Sequence, residues 1–353
     1  MEKHLLTLLS SQGGCAAKIG PDELQHILDG LKIENLNVST NIQRREDVGI
    51  FRIRKGLHIV QSVDLITPVS DNPATFGAIT AAHALSDVYA KGAQPLTALL
   101  ILGLPAFRIS TSIATEILQG AIDKLQEAGT VLLGGHTIAT QELLFGLSVT
   151  GLVQEEVVSN TSCKEGDALV LTKPLGSGII ITALKLTNAQ VPIEQFSTEL
   201  VPLSEKVMLE LNAAASKAML KVGVHACTDV TGFGLIGHLY EMLTLSGYAA
   251  HINLKHVPIL SGVTALASQD VVSSGCERNA AFWWNSCQFN DNIPYAQKMI
   301  LFDPQTSGGL LISLARNKAD QLIQELHRAG IRDCAVIGHI TQKEKAAVVV
   351  SNK

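Results

Sequence analysis

Charge is scarce in this sequence. Aspartate, glutamate, lysine and arginine make up 17% of its 353 residues, against 46% hydrophobic residues. The net charge is −5 and no lysine- or arginine-rich run occurs. That excludes the basic face expected of a nucleic-acid partner. No apolar run is long enough to span a membrane, so none is expected. The apolar part of residues 1–9 is too short for a signal peptide. The six cysteines, Cys15, Cys163, Cys227, Cys276, Cys287 and Cys334, are scattered without a C-x-x-C pair. This argues against a zinc ribbon and a disulfide framework. Internal repeats and low-complexity segments are also missing. What is left is a protein expected to be soluble and cytoplasmic, with free thiols and enough chain for two domains.

Residues 57–63 alternate as a strand does, and the strand ends near Asp64. Asn72 reads as a helix N-cap with Pro73 at the first helical position. That helix runs on through Phe76, Ile79, His83 and Val88, and it contains Asp87 among small and apolar residues. A buried carboxylate needs a partner or a metal. Asp64 and Asp87 therefore read either as a cation site or as a turn cap and a lysine-paired acid. Residues 96–104 read as a covered central strand, and residues 111–128 as a helix stopped by Gly129. A short strand at 131–133 leads into Gly134-Gly135-His136-Thr137, a turn that either faces a phosphate or only reverses the chain. Residues 143–153 form another strand, which gives an α/β unit.

The polar stretch 155–167 marks a boundary. Beyond it, the pattern predicts a strand at 168–172 and one long helix at 204–222. A strand ends at Asp229, and a helix starts near Leu235. Residues 261–294 read as irregular, and the turn at 303–309 feeds a strand. A helix at 319–329 and strands at 334–340 and 346–350 close the chain. The loop Lys173-Pro174-Leu175-Gly176-Ser177-Gly178 lacks the full phosphate-loop pattern. The expected organisation is a mobile arm (1–44) with a short helix near 22–31, a first domain (45–157) and a second (158–353). In the arm, Cys15 precedes Lys18 by three residues. That spacing suits a thiolate favoured by an ammonium, or else Cys15 is a small apolar loop residue. Asp47 follows Arg44-Arg45-Glu46 and reads as a metal ligand or as part of a solvated salt-bridged turn.

One ordered set of segments covers most of the chain. It comprises Gly14-Cys15-Ala16-Ala17-Lys18, Asp64, Asp87, Gly134-Gly135-His136-Thr137, the run from Thr228-Asp229 to Gly237-His238, and Asp303-Pro304-Gln305-Thr306-Ser307-Gly308-Gly309. Together they resemble the selenophosphate synthetase (selenide, water dikinase) family. The resemblance implies an α/β (α+β) two-domain fold shared with aminoimidazole ribonucleotide synthetase and thiamine-monophosphate kinase. In that fold the N-terminal sheets pair across a homodimer into a barrel, and the C-terminal domain is an α/β sandwich. The implied reaction converts ATP, hydrogen selenide and water to selenophosphate, AMP and orthophosphate. By resemblance, Cys15 is the nucleophile or selenium carrier and Lys18 the cation beside it, also touching nucleotide. Asp47, Asp87 and Asp229 hold Mg²⁺, and Asp64 and Asp87 help bind ATP. Arg44, Arg45 and Glu46 contact nucleotide, and Gly135, His136 and Thr137 do so across the dimer. A monovalent cation such as K⁺ and a selenium-delivery protein are further expectations. The chain departs from the family at Ala17, where a second cysteine is common, at Val63, and at Glu46-Asp47, which replaces paired aspartates.

Overall fold

The computed structural model describes residues 5–29, 46–105, 108–154, 156–194 and 196–352. The expected nucleotide contacts Arg44 and Arg45 lie outside the described residues.

The first sheet is built from β1 (Gly49–Arg54), β2 (Leu57–Ile66), β3 (Gln94–Pro105), β4 (Val131–Thr140) and β5 (Leu144–Gln154), in the order β1-β2-β5-β3-β4. Its strands are antiparallel except for the parallel β3–β4 pair. After α1 (Pro21–Asp29), the helices α2 (Pro73–Ala90) and α3 (Thr111–Glu127) cover one face. The start of α2 follows from its sequence. Asn72 accepts from the Thr75 amide at 2.9 Å, and Pro73 needs no amide partner there. The two helices meet backbone to backbone, since a Cβ at Gly120 would fall 1.9 Å from the Ala74 carbonyl oxygen.

Period-two alternation decides what faces what. Along β2, Val60, Ser62, Asp64 and Ile66 are buried, whereas Val63 and Leu65 are exposed. Val63 and Leu99 both pair with Ser148, so they share the other face of the sheet. That face carries exposed apolar side chains, Val63, Leu65 and Leu99 among the described residues. The expectation of a covered β3 therefore holds on one side only, because Leu96 and Leu99 are exposed on the other.

The Gly134-Gly135-His136-Thr137 stretch is not a turn. It lies within β4 and continues the pairing with β3, after a register shift between Ala98 and Leu99. The glycines suit a strand here because a Cβ at Gly135 would fall 2.3 Å from the Leu100 carbonyl oxygen.

The second sheet comprises β6 (Ala168–Leu171), β7 (Ala226–Asp229), β8 (Ala249–Asn253), β9 (Cys287–Phe289), β10 (Leu310–Leu314), β11 (Ala335–Thr341) and β12 (Val348–Ser351). Its order is β7-β10-β6-β11-β8-β12-β9. In β6, Leu169 and Leu171 join one core and Ala168 and Val170 the other, which explains its unbroken apolar run. One core holds α4 (Ser177–Asn188), α7 (Gly234–Ser246), α8 (Val263–Ala267), α9 (Ser274–Trp283) and α10 (Tyr295–Ile300); the other holds α6 (Ala213–Val222) and α11 (Ala319–Arg328). The stretch 261–294, expected to be irregular, thus contains α8, α9 and β9.

The single helix expected at 204–222 is two, α5 (Leu200–Leu209) and α6. Between them, the Glu210 carbonyl accepts from Lys173 Nζ at 2.7 Å, and Asn212 donates to Ser86 Oγ and to the Gly308 carbonyl, both at 2.8 Å. These bonds to other segments replace the helical ladder at the break.

The N-terminal segment, expected to be mobile, is packed around residues 6–10 and at Cys15 and Ala16, while Ile19 and Ile27 are exposed. The Thr7 hydroxyl donates to Asp71, Lys185 donates to the carbonyls of Thr7 and Ser10, and Leu6 is buried.

Candidate active site

Three elements converge at Cys15. The segment 13–18 makes a short 3-10 turn over Cys15–Ala17. Gly14 enters it at φ +59, and a Cβ there would fall 2.3 Å from Thr306 Oγ1, so glycine is required twice over. The Cys15 amide donates to that same Thr306 oxygen at 3.3 Å. Below, α2 presents His83, with Nε2 3.3 Å from Cys15 Sγ. From the second domain, the Ser307 amide donates to His83 Nδ1 at 3.2 Å. Ser307 holds φ +50, uncommon without a glycine.

Lys18 turns from the same segment to Asp64, with Nζ 2.7 Å from Oδ1. Burial opposes ionisation of Asp64, but the Lys18 ammonium, His83 and hydrogen bonds from Lys18 and Asp87 together outweigh it and hold the carboxyl below its usual range. Burial likewise opposes the charge on Lys18, and Asp64 more than compensates. The cysteine behaves otherwise. Burial pushes the thiol up to about 12, and Lys18 lowers it only in part. In this packing burial keeps Cys15 a thiol at neutral pH, and the neighbouring ammonium, paired with Asp64, offsets it only in part.

Beyond Asp64 lies an acidic cluster. Asp87 accepts a short hydrogen bond from Ser62. Asp229, at the end of β7, accepts from Ser86 Oγ at 2.6 Å, and its Oδ1 is buried without a hydrogen bond. Asp47 accepts from Thr228 at 2.9 Å. Burial, then the charge of Asp229, pushes the Asp87 carboxyl well up. Burial, then Asp47, raises Asp229 to about 6. Among the described residues, no three His, Cys, Asp or Glu side chains already form a metal shell. The cluster nevertheless suits a hard divalent cation. Its donors are all carboxylate oxygens, they repel one another, and one is orphaned.

The sequence reading missed two residues. His83, Asp87 and Lys91 stand four residues apart, on one face of α2 and its cap. Lys91 is fully buried and pairs with Glu46 at 2.8 Å and Asp47 at 2.9 Å. Burial opposes its charge, and Asp47 and Glu46 together outweigh that, so it stays an ammonium. The four-residue spacing was the available signal for both.

Lys18, Glu46, Asp47, Asp64 and Asp87 line a cavity of about 500 Å³, with Leu24 and Leu28 of α1, Val48, Val63 and Phe233 as apolar walls. Asp229 lies next to it through Asp87. Gly135, His136 and Thr137 are not brought there within one chain. Asp64 pairs with Leu147, Leu147 with Leu100, and Leu100 with Gly135. Gly135 is therefore three strands away, roughly 14 Å at ordinary strand spacing. His136 and Thr137 are exposed on the open edge of the sheet.

The sequence matches the family "AIR synthase related protein" over both its N-terminal domain (residues 45–153) and its C-terminal domain (residues 164–351). The selenide, water dikinase of Caldanaerobacter subterraneus subsp. tengcongensis is 41% identical over 352 residues, covering 99% of each chain. That of Pelobacter propionicus is 39% identical over 347 residues, covering 98% of each. Among solved structures, thiamine-monophosphate kinase from Stenotrophomonas maltophilia superposes with a TM-score of 0.65 at 19% identity, covering 96% of this chain and 97% of that one. That last likeness is one of fold. The full-length identity carries the assignment, and on it the chain belongs to the selenide, water dikinase family, with the two-domain fold of the AIR synthase related proteins.

Proposed function

We propose that this protein makes selenophosphate, converting ATP, hydrogen selenide and water to selenophosphate, AMP and orthophosphate. One observation supports this above the others. One short segment sends Lys18 into a cavity whose wall carries Asp47, Asp64 and Asp87, and holds Cys15 beside it, against the His83 nitrogen that also faces Asp64.

The chemistry follows from charge. A triphosphate entering a protein of net charge −5 needs cations between it and the acids. Asp47, Asp87 and Asp229 would hold Mg²⁺, which when bound neutralises phosphate charge. Lys18 and Glu46, with Asp64, would position the nucleotide beside it, and Arg44 and Arg45 belong to the same reading. Lys91 pairs with both Glu46 and Asp47 and fixes their positions. Phosphoryl transfer asks mainly for positioning and charge neutralisation. Hydrogen selenide is already anionic at neutral pH, so its attack needs no general base. The docked segment 13–18 covers Cys15 and excludes water from that end of the site.

The homodimer belongs to the same reading. The face with exposed Val63, Leu65 and Leu99 and the open edge strand β4 with Val131 and Leu133 would be covered by a second copy. That arrangement would carry Gly135, His136 and Thr137 to the partner's nucleotide. A monovalent cation such as K⁺ and a selenium-delivery protein are compatible additions to which no residue is assigned. Six free thiols suit a reducing, cytoplasmic setting. Among the described residues, no helix is long and apolar enough to cross a membrane.

Replacing Cys15 by serine tests the assignment of the thiol. Selenide-dependent product should disappear while ATP binding stays within about twofold, since Cys15 does not line the nucleotide cavity. Full activity in Cys15→Ser would remove the thiol from the reaction.

A further inference from the structure

His83 is a buried polar group to which the reading above gives no task. It is 1% exposed, and its two ring nitrogens face different parts of the protein. Nδ1 lies 3.2 Å from the Ser307 backbone nitrogen. A backbone amide only donates, so Nδ1 is the acceptor and carries no proton. Burial lowers the imidazole to about 4, with Asp64 opposing in part. At neutral pH the ring therefore holds one proton, and it sits on Nε2. That nitrogen is 3.3 Å from Cys15 Sγ and 3.5 Å from Asp64 Oδ2.

A cysteine beside a histidine invites the reading of a nucleophile and its base. The Ser307 amide removes that possibility, because Nε2 already bears the proton it would have to accept. We propose instead that His83 is a positioning residue that donates Nε2–H to the Cys15 sulfur and stabilises that sulfur in its anionic form. This rests on the reading of Cys15 as the reactive thiol.

The surroundings fit a donor. The groups that act on the sulfur are the Lys18 ammonium, the Thr306 hydroxyl, and the carboxylates of Asp64 and Asp229. Both carboxylates raise the cost of a thiolate, and Lys18 is engaged by Asp64. His83 thus places a hydrogen where negative charge on sulfur would develop, and the nearby Thr306 hydroxyl acts in the same direction. Preorganised donors of this kind act without moving a proton. Hydrogen bonds to charged groups are worth enough to change rates by about tenfold or more.

Nitrogen NMR of the full-length protein labelled with ¹⁵N-histidine tests the donor directly, with His83 assigned by its absence in His83→Gln. The expected result is a bare Nδ1 and a protonated Nε2 at neutral pH, with the Nε2–H signal displaced in Cys15→Ser. A protonated Nδ1, or an imidazolium at neutral pH, would overturn the proposal. Kinetics give the second arm. His83→Leu should lower kcat/KM for selenide by about tenfold or more, with KM for ATP unchanged. His83→Gln, which keeps an N–H on its amide, should recover most of the loss. Equal losses in both variants, accompanied by a raised KM for ATP, would mean a merely structural histidine. Wild-type rates in His83→Leu would equally sink the idea. The NMR arm needs no turnover. It decides His83 even if the wild-type protein forms no selenophosphate, a result that would count against the reaction proposed above and not against the donor.

Discussion

Ser86 Oγ donates to Asp229 Oδ2 at 2.6 Å, and this one hydroxyl ties helix α2 of the first domain to the acid at the end of β7 in the second. Ser86 in turn accepts from Asn212 at 2.8 Å, so the junction continues to the α5–α6 break. The acidic cluster is therefore assembled from both domains, and its geometry depends on how they dock.

The orphaned Oδ1 of Asp229 gives the first test. Asp229→Asn keeps the size of the side chain and removes its charge. Mg²⁺-dependent ATP binding should weaken by at least about tenfold, read by calorimetric titration with and without Mg²⁺. Unchanged titrations would remove Asp229 from the cation site.

Lys91 offers a test of stability. It has no exposed surface, and its ammonium meets both Glu46 and Asp47. Lys91→Met leaves those two carboxylates without their cation in a buried setting. The expected loss is about 3–5 kcal/mol, measured from urea denaturation midpoints. A midpoint within error of wild type would show that Glu46 and Asp47 do not depend on Lys91.

Asp303 predicts a pH dependence. It is fully buried, its Oδ1 accepts no hydrogen bond, and burial pushes its carboxyl up to about 7. Its folded value is therefore raised above the unfolded one. Between the two values the native state binds more protons, so stability falls as pH rises from about 4 to 7 and is lower above that by roughly 4 kcal/mol. Asp303→Asn should flatten that slope in a series of denaturation curves from pH 4 to 8. A slope equal to that of wild type would mean Asp303 is ionised in the native protein.

Local rules made parts of this structure legible in the sequence. The Asn72-Pro73 helix start and the strand ending at Asp229 both depend on neighbours in the chain, and both are found. Long-range pairing overrode local signals elsewhere. Gly134-Gly135 reads as a turn until β3 pairs alongside it. The helix at 204–222 reads as continuous until Lys173, Ser86 and Gly308 engage the backbone and side chain between Glu210 and Asn212. At the site, the family motifs pointed to Cys15, Lys18 and the aspartates. His83 and Lys91 carry no motif of their own, and the polar stripe they form with Asp87 lies within an otherwise apolar, buried helix and its cap. The burial that keeps Cys15 a thiol and the pairing of Lys18 with Asp64 are tertiary features that no spacing encodes.

The most direct test of the central claim is phosphorus NMR of the wild-type protein with ATP, Mg²⁺ and selenide under anaerobic conditions. The account predicts a selenophosphate signal that grows together with AMP and orthophosphate, in equal amounts. ADP as the nucleotide product without selenophosphate, or no turnover while ATP is bound, would contradict it.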